Sequence, residues 1–335
     1  MRDYPVSSDL YPWLESNWNS LIKQYFSERL PHAMLWITPS GIGTETLALQ
    51  FLQLLMCSSV QNNKACGECN HCQLFEANTH PDFHYLSLEE SSKVIKIEQV
   101  RALIDKLLER PHQGGKRLVF VEPADLLHRS ASNAFLKTLE EPGDDTYILL
   151  ITSRPEALPA TIRSRCQVTH FKAPTELLAQ EYVEQHSSEP KDKIRQVVKL
   201  AQNRPLLAID LLDSGQFQAR TDFFSYLQSV TRGNMDPVAL AGNFKSAEEV
   251  VLACDWLYSL VTDAEKTLSG INSENLSNSD QHELISLLTA QSNERRKLWL
   301  DKLNEAKRTM LRGTNVNPVL TMEALMTSWI AFSGN

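Results

Sequence analysis

Short apolar runs alternate with amphipathic stretches through the first half of the chain. Residues 8 to 29 place Leu10, Trp13, Leu14, Trp18, Leu21, Ile22 and Tyr25 at three- and four-residue spacings, which predicts a helix. Met34 to Ile37 is a short apolar run. It is followed by the turn-rich Thr38-Pro39-Ser40-Gly41-Ile42-Gly43 and then by the helical pattern Leu47 to Met56, so strand, loop and helix succeed one another. The alternation continues with strands near Phe83 to Leu88, Arg117 to Val121, Tyr147 to Thr152 and Val168 to Phe171, and with helices from Ile97 to Leu108 and Ser130 to Leu139. Short apolar strands between amphipathic helices imply a parallel sheet covered on both faces, an α/β arrangement.

Beyond Lys172-Ala173-Pro174 the strand-like runs stop, and the class changes to all-α. A small helical unit is expected at 174–212 and a larger one at 213–335, with polar breaks at Gly233-Asn234 and from Gly270 to Asp280. Ala247 to Leu268 and His282 to Leu311 read as long helical stretches, the latter with an apolar face that includes Leu284, Leu287, Leu288, Trp299 and Leu303. Stripes at this spacing form an internal core more often than a partner surface. There is no internal repeat.

Composition and charge narrow the classes. With 335 residues, 42% of them hydrophobic and 22% charged, the chain is neither collagen-like nor mainly disordered, and it is long enough for two or three domains. No apolar run approaches the ~20 residues that span a bilayer. Met1-Arg2-Asp3-Tyr4-Pro5 lacks a signal-peptide core, so a cytosolic protein with no membrane partner is expected. The net charge of -8 repels a phosphate backbone at long range and argues against tight DNA binding by the isolated chain. Residues 291 to 312 run against that trend, with seven Lys or Arg and three acids, a local +4, on what reads as a solvated or DNA-facing helix.

Four of the six cysteines, Cys57, Cys66, Cys69 and Cys72, lie within sixteen residues. In a reducing compartment such clustering points to metal more than to disulfides. The two-residue gaps let successive thiolates turn back onto one ion, and four thiolates saturate a tetrahedral, structural Zn2+. An iron–sulfur cluster and unliganded thiols are the other readings, with His71 and His80 available as substitute ligands. Cys254 sits in an apolar helical stretch and reads as core.

The turn after Met34 to Ile37 stands where nucleotide-binding proteins place their phosphate loop, but its chemistry differs. Against G-x-x-x-x-G-K-[ST], Thr38 stands for the first glycine, Thr44 for the lysine and Glu45 for the hydroxyl residue. The helix N-terminus still favours an anion. A carboxylate ~4 Å from a phosphate opposes it by on the order of 4 kcal/mol at an effective dielectric of about 20. After Arg117 to Val121, where an active enzyme offers an Asp for magnesium and a Glu for water, this chain has Glu122 and Pro123. No bound nucleotide is expected. Taken alone, the loop does not exclude a segment that was never a nucleotide site.

Three stretches carry a family resemblance. Ser132-Asn133-Ala134-Phe135-Leu136-Lys137-Thr138-Leu139-Glu140-Glu141-Pro142, Tyr147 to Ser153, and Leu158-Pro159-Ala160-Thr161-Ile162-Arg163-Ser164-Arg165-Cys166 closely resemble sliding-clamp loader subunits of the AAA+ class. Within that class, a degenerate phosphate loop joined to an intact Ser164-Arg165-Cys166 is similar to the delta-prime type of bacterial DNA polymerase III. The resemblance implies a RecA-like domain at 1–173 with an inserted zinc module at 57–72, a helical lid at 174–212 and a helical collar at 213–335. It implies gamma/tau and delta subunits as partners, with the sliding clamp and primer-template DNA engaged through the assembled complex. It also implies that Arg165 reaches the ATP of a neighbouring subunit as a catalytic arginine finger in trans, although a surface arginine paired with a local carboxylate is the plainer alternative. Thr152 matches a sensor position at a strand end. Arg163 and Arg154 read as interface or surface charges. Arg204, followed by Pro205, departs from the pattern and receives no role. The rival functions are an active AAA+ ATPase with an unorthodox loop and a zinc-dependent nucleic-acid-binding module.

Overall fold

The computed structural model describes residues 10–89, 92–112, 115–311 and 316–333. The chain divides into two compact units, residues 1–174 and 175–335.

The first unit is built on five strands, β1 (Ala33–Ile37), β2 (Phe83–Leu86), β3 (Arg117–Val121), β4 (Thr146–Thr152) and β5 (Gln167–His170), in the order β2-β3-β4-β1-β5. Every pairing is parallel. The sheet sorts its side chains by the two-residue period of a strand. Met34, Trp36, Leu118, Phe120, Leu149 and Ile151 pack on one face against α1 (Glu15–Phe26), α2 (Thr44–Met56) and α3 (Asn70–Glu76). Ala33, Leu35, Val119, Val121, Ile148 and Leu150 pack on the other against α4 (Ile97–Leu108), α5 (Arg129–Glu140) and the short α6 (Ala160–Arg163). Burial on both faces explains why these strands read as unbroken apolar runs. β5, at the sheet edge, is the exception and is largely exposed.

Several element ends differ from the sequence reading; the edge strand expected from Val168 to Phe171 runs from Gln167 to His170. The expected helix at 8–29 is a 3-10 turn at Pro12–Leu14 followed by α1, and it stops at Phe26 because Glu28 takes a left-handed φ of 54°. Residues 8 and 9 lie outside the described residues. The strand expected to reach Leu88 ends at Leu86.

The second unit is helical throughout its described residues, from α7 (Glu176–His186), α8 (Lys191–Leu200) and α9 (Pro205–Asp213) through α10 (Gln216–Thr231), α11 (Pro237–Ala241) and α12 (Ala247–Leu268) to α13 (His282–Ala290), α14 (Asn293–Leu311) and α15 (Pro318–Ser333). It holds two apolar cores. Ala179, Val183, Ile194, Val197, Val198, Ala208 and Phe217 form a small one. The larger draws on α10 to α15, with Trp299, Trp329 and Phe332 packed ring against ring. The stretch read as one helix from His282 to Leu311 is two, because Gln291 turns extended at ψ 153° and the Ser292 hydroxyl accepts the amide of Arg295 as a new cap. Trp299 and Leu303 are buried core residues, as their spacing implied.

Candidate functional site

Three places carry the chemistry, and all lie in the first unit. The cysteine cluster is assembled by two helix ends. Cys57 terminates α2, Cys69 precedes α3, Cys72 is in its first turn, and Cys66 reaches the cluster through the intervening loop. Gly67 takes a φ of 75° there, a conformation a side chain would strain. The four sulfur atoms lie within 4.8 Å of one another, with Cys57–Cys66 at 3.6 Å and Cys66–Cys72 at 4.0 Å. Zinc–sulfur bonds of about 2.3 Å in a tetrahedron place sulfurs ~3.8 Å apart, so the donor set fits such an ion. Backbone amides support the sulfurs. Cys66 and Ser59 donate to Sγ of Cys57 at 3.3 and 3.4 Å, and Cys69 donates to Sγ of Cys66 at 3.3 Å.

Burial pushes the Cys57 and Cys72 thiols up, whereas Cys69 is brought down to about 5. At Cys69 partial burial opposes the shift, and donation from Ser58 and Cys72 outweighs it. These donors therefore favour one thiolate, and a cation would be needed to hold all four deprotonated. His71 and His80 do not join the cluster: Nδ1 of His71 lies 2.9 Å from Nε2 of His80, whose Nδ1 accepts the amide of Asp82.

The second place is the turn from β1 into α2. Gly43 caps α2 at a φ of 80°. Thr44, at the lysine position, is fully buried, and its hydroxyl lies 2.7 Å from that of the equally buried Thr38, so two short side chains satisfy each other. Above them lies an aromatic cover that sequence reading missed. A Cβ on Gly43 would come within 2.1 Å of the Tyr11 ring, which stacks on Trp13 at 5.2 Å, and Trp13 Nε1 donates to the carbonyl of Ile42 at 2.8 Å. Burial raises the Glu45 carboxyl above its usual range. Glu122, 8% exposed, is pushed up to about 7 by burial and then by the charge of Glu45, against a hydrogen bond from Tyr85 at 3.1 Å. Glu45, in the first turn of α2, and Glu122, after β3, thus bring two carboxyl groups close enough to oppose each other's ionisation beside this turn.

Asp125 is the second missed residue. Its side chain is only 2% exposed, accepts the Thr152 hydroxyl at 2.8 Å, and binds Arg154 through Nε and Nη2 at 2.9 and 2.6 Å. Thr152 and Arg154 are therefore tied to one local acid. The signal was an Asp two residues beyond Pro123.

The third place is Ser164-Arg165-Cys166, between α6 and β5. Ser164 is exposed and its hydroxyl donates to the carbonyl of Thr161 at 3.2 Å. Burial pushes the Cys166 thiol up to about 12, which makes it a packing residue. Arg165 is partly exposed and paired with Glu140 of α5, with Nε and Nη2 at 2.7 and 2.6 Å from Oε1. In the chain by itself the arginine has a local carboxylate partner. In the second unit, Nε of Arg204 donates to the carbonyl of Ala201 at 2.6 Å and so caps α8.

An all-parallel sheet with β4 between β1 and β3, a phosphate-loop turn after β1 and the Ser-Arg-Cys loop before the edge strand define a clamp-loader core of the AAA+ class. The chain belongs to the family of DNA polymerase III subunit delta-prime. The family model described as DNA polymerase III, delta subunit, matches residues 13–175, and its C-terminal counterpart matches residues 214–331. The chain is 32% identical to the delta-prime subunit of Pseudomonas aeruginosa over 332 residues, covering 98% of this chain and 99% of that one. It is 34% identical to the Escherichia coli delta-prime subunit over 261 residues, 78% of this chain and 77% of that one. Similarity to the tau/gamma subunit of Haemophilus influenzae, at 35%, is confined to 145 residues, 43% of this chain and 21% of that one. Among the described residues no helix is long and apolar enough to cross a membrane.

Proposed function

We propose that this chain is the non-hydrolysing, stator-like member of a cytosolic clamp loader. It assembles with gamma/tau and delta subunits, and the complex opens the sliding clamp and loads it onto primer-template DNA. The RecA-like domain spans 1–173, the lid 174–212 and the collar 213–335. Zn2+ held by Cys57, Cys66, Cys69 and Cys72 ties the end of α2 to α3 and serves as a fold element without a vacant coordination position.

One observation carries the proposal: the chain's own phosphate loop is filled by Thr38, Thr44 and the Tyr11 ring, while Arg165 stays on a solvent-facing loop. Nucleotide chemistry then belongs to the neighbour, whose phosphates Arg165 meets. A guanidinium keeps its charge at any working pH and offers a planar fork for phosphate oxygens, so it stabilises both the assembled ring and the charge of the hydrolytic transition state.

Reconstitution with gamma, delta and clamp tests this. Arg165→Ala is expected to leave folding and assembly largely intact and to lower DNA-stimulated ATP hydrolysis by roughly 100-fold or more. Undiminished turnover and clamp loading onto primed circles would remove Arg165 from the mechanism.

A further inference from the structure

The guanidinium of Arg165 is held on two flanks by its own chain. Nε and Nη2 meet Oε1 of Glu140 at 2.7 and 2.6 Å, and Nη1 donates to the carbonyl of Thr161 at 2.9 Å. A guanidinium has five N–H donors, and these three contacts leave one on each terminal nitrogen. The Arg165 side chain is 30% exposed, so the guanidinium arm is not sealed inside the protein.

The two acceptors share a property. Glu140 is the last residue of α5, and Thr161 lies within the single turn of α6. A carboxylate at a helix C-terminus faces the negative end of the helix dipole, and a terminal carbonyl has no partner within its helix. Arg165 supplies a cation to the first and a donor to the second, which the Ser164 hydroxyl also bonds. These contacts favour one orientation of the guanidinium over the others. An exposed arginine otherwise distributes over many rotamers, and that freedom would be lost when it met a phosphate.

We infer that Glu140 is a positioning residue for Arg165: its carboxylate clamps the guanidinium flank and leaves one N–H on each terminal nitrogen to engage anionic oxygens of a nucleotide held by an adjoining subunit. The inference rests on the proposed role of Arg165. A purely competing Glu140, one that withholds the arginine from phosphate, has the opposite consequence, because its removal would speed turnover.

The test compares wild type, Glu140→Ala, Glu140→Gln, Arg165→Ala and the double variant Glu140→Ala with Arg165→Ala in the full reconstituted complex. Glu140→Ala is expected to lower kcat for ATP roughly tenfold with little change in KM, Glu140→Gln to recover part of the loss, and the double variant to match Arg165→Ala alone. If Arg165→Ala is slow while Glu140→Ala is normal or faster, the clamp is wrong and the finger stands. Normal turnover in Arg165→Ala removes both. A second measurement needs no assembly. In the isolated full chain, solvent exchange of the Arg165 Nε–H, followed by NMR, should be slowed and should accelerate in Glu140→Ala; equal exchange in the two proteins overturns the clamp.

Discussion

Glu122 shows how one side chain carries a consequence for the whole chain. Burial and Glu45 hold it protonated up to about pH 7 when folded, while an unfolded glutamate ionises near its ordinary value. Between those values the folded chain binds more protons, so stability is fullest at the acidic end and falls as pH rises through the window. The shift corresponds to at most about 3 kcal/mol. Glu122→Gln should flatten this dependence and raise the urea midpoint at pH 8 relative to wild type; an unchanged slope between pH 5 and pH 8 would show that another group titrates. Glu122 was legible in the sequence as the wrong residue for magnesium. Its elevated affinity for a proton was not, because that depends on burial in the folded unit and on Glu45 from α2, acting against the hydrogen bond from Tyr85 of β2, and neither residue is adjacent in the chain.

The cysteine module is where element ends and chemistry coincide. Its ligands were readable from spacing alone, because two-residue gaps constrain the backbone locally. The closing contribution of Cys57 depends on α2 ending where it does. Cys69→Ser removes the thiol most easily ionised, so bound zinc measured by elemental analysis should fall from about one per chain towards none, with local loss of amide protection in residues 57–76. Full metal content would contradict a four-thiolate site. In wild type the metal should leave as pH falls, because protons compete for the thiolates. The helices were legible wherever an apolar face ran uninterrupted, as in α4 and α12. The break between α13 and α14 was missed because the Ser292 cap lies inside an otherwise continuous helical pattern.

For the molecule as a unit, the charge of -8 and the filled phosphate loop point the same way. The isolated chain should neither hydrolyse ATP nor show salt-sensitive affinity for primed DNA, and both properties should appear only on mixing with gamma and delta. ATP hydrolysis by the purified chain, abolished by Thr44→Ala, would favour the ATPase reading. DNA affinity that falls steeply from ~50 to ~200 mM salt would favour the nucleic-acid-binding reading.

Periodicity determined the alternation of strand and helix, the two-faced burial of the sheet and the switch to helices near Pro174, because each strand face and helix stripe must find apolar cover and the spacing records which. Local spacing likewise determined the thiolate set. Only the tertiary structure decided that the Tyr11 ring covers Gly43, that Asp125 holds Thr152 and Arg154, and that Glu140 clasps Arg165. These are contacts between residues some 25 or more positions apart, joined by the order in which strands pair, and periodicity within a segment carries no information about them.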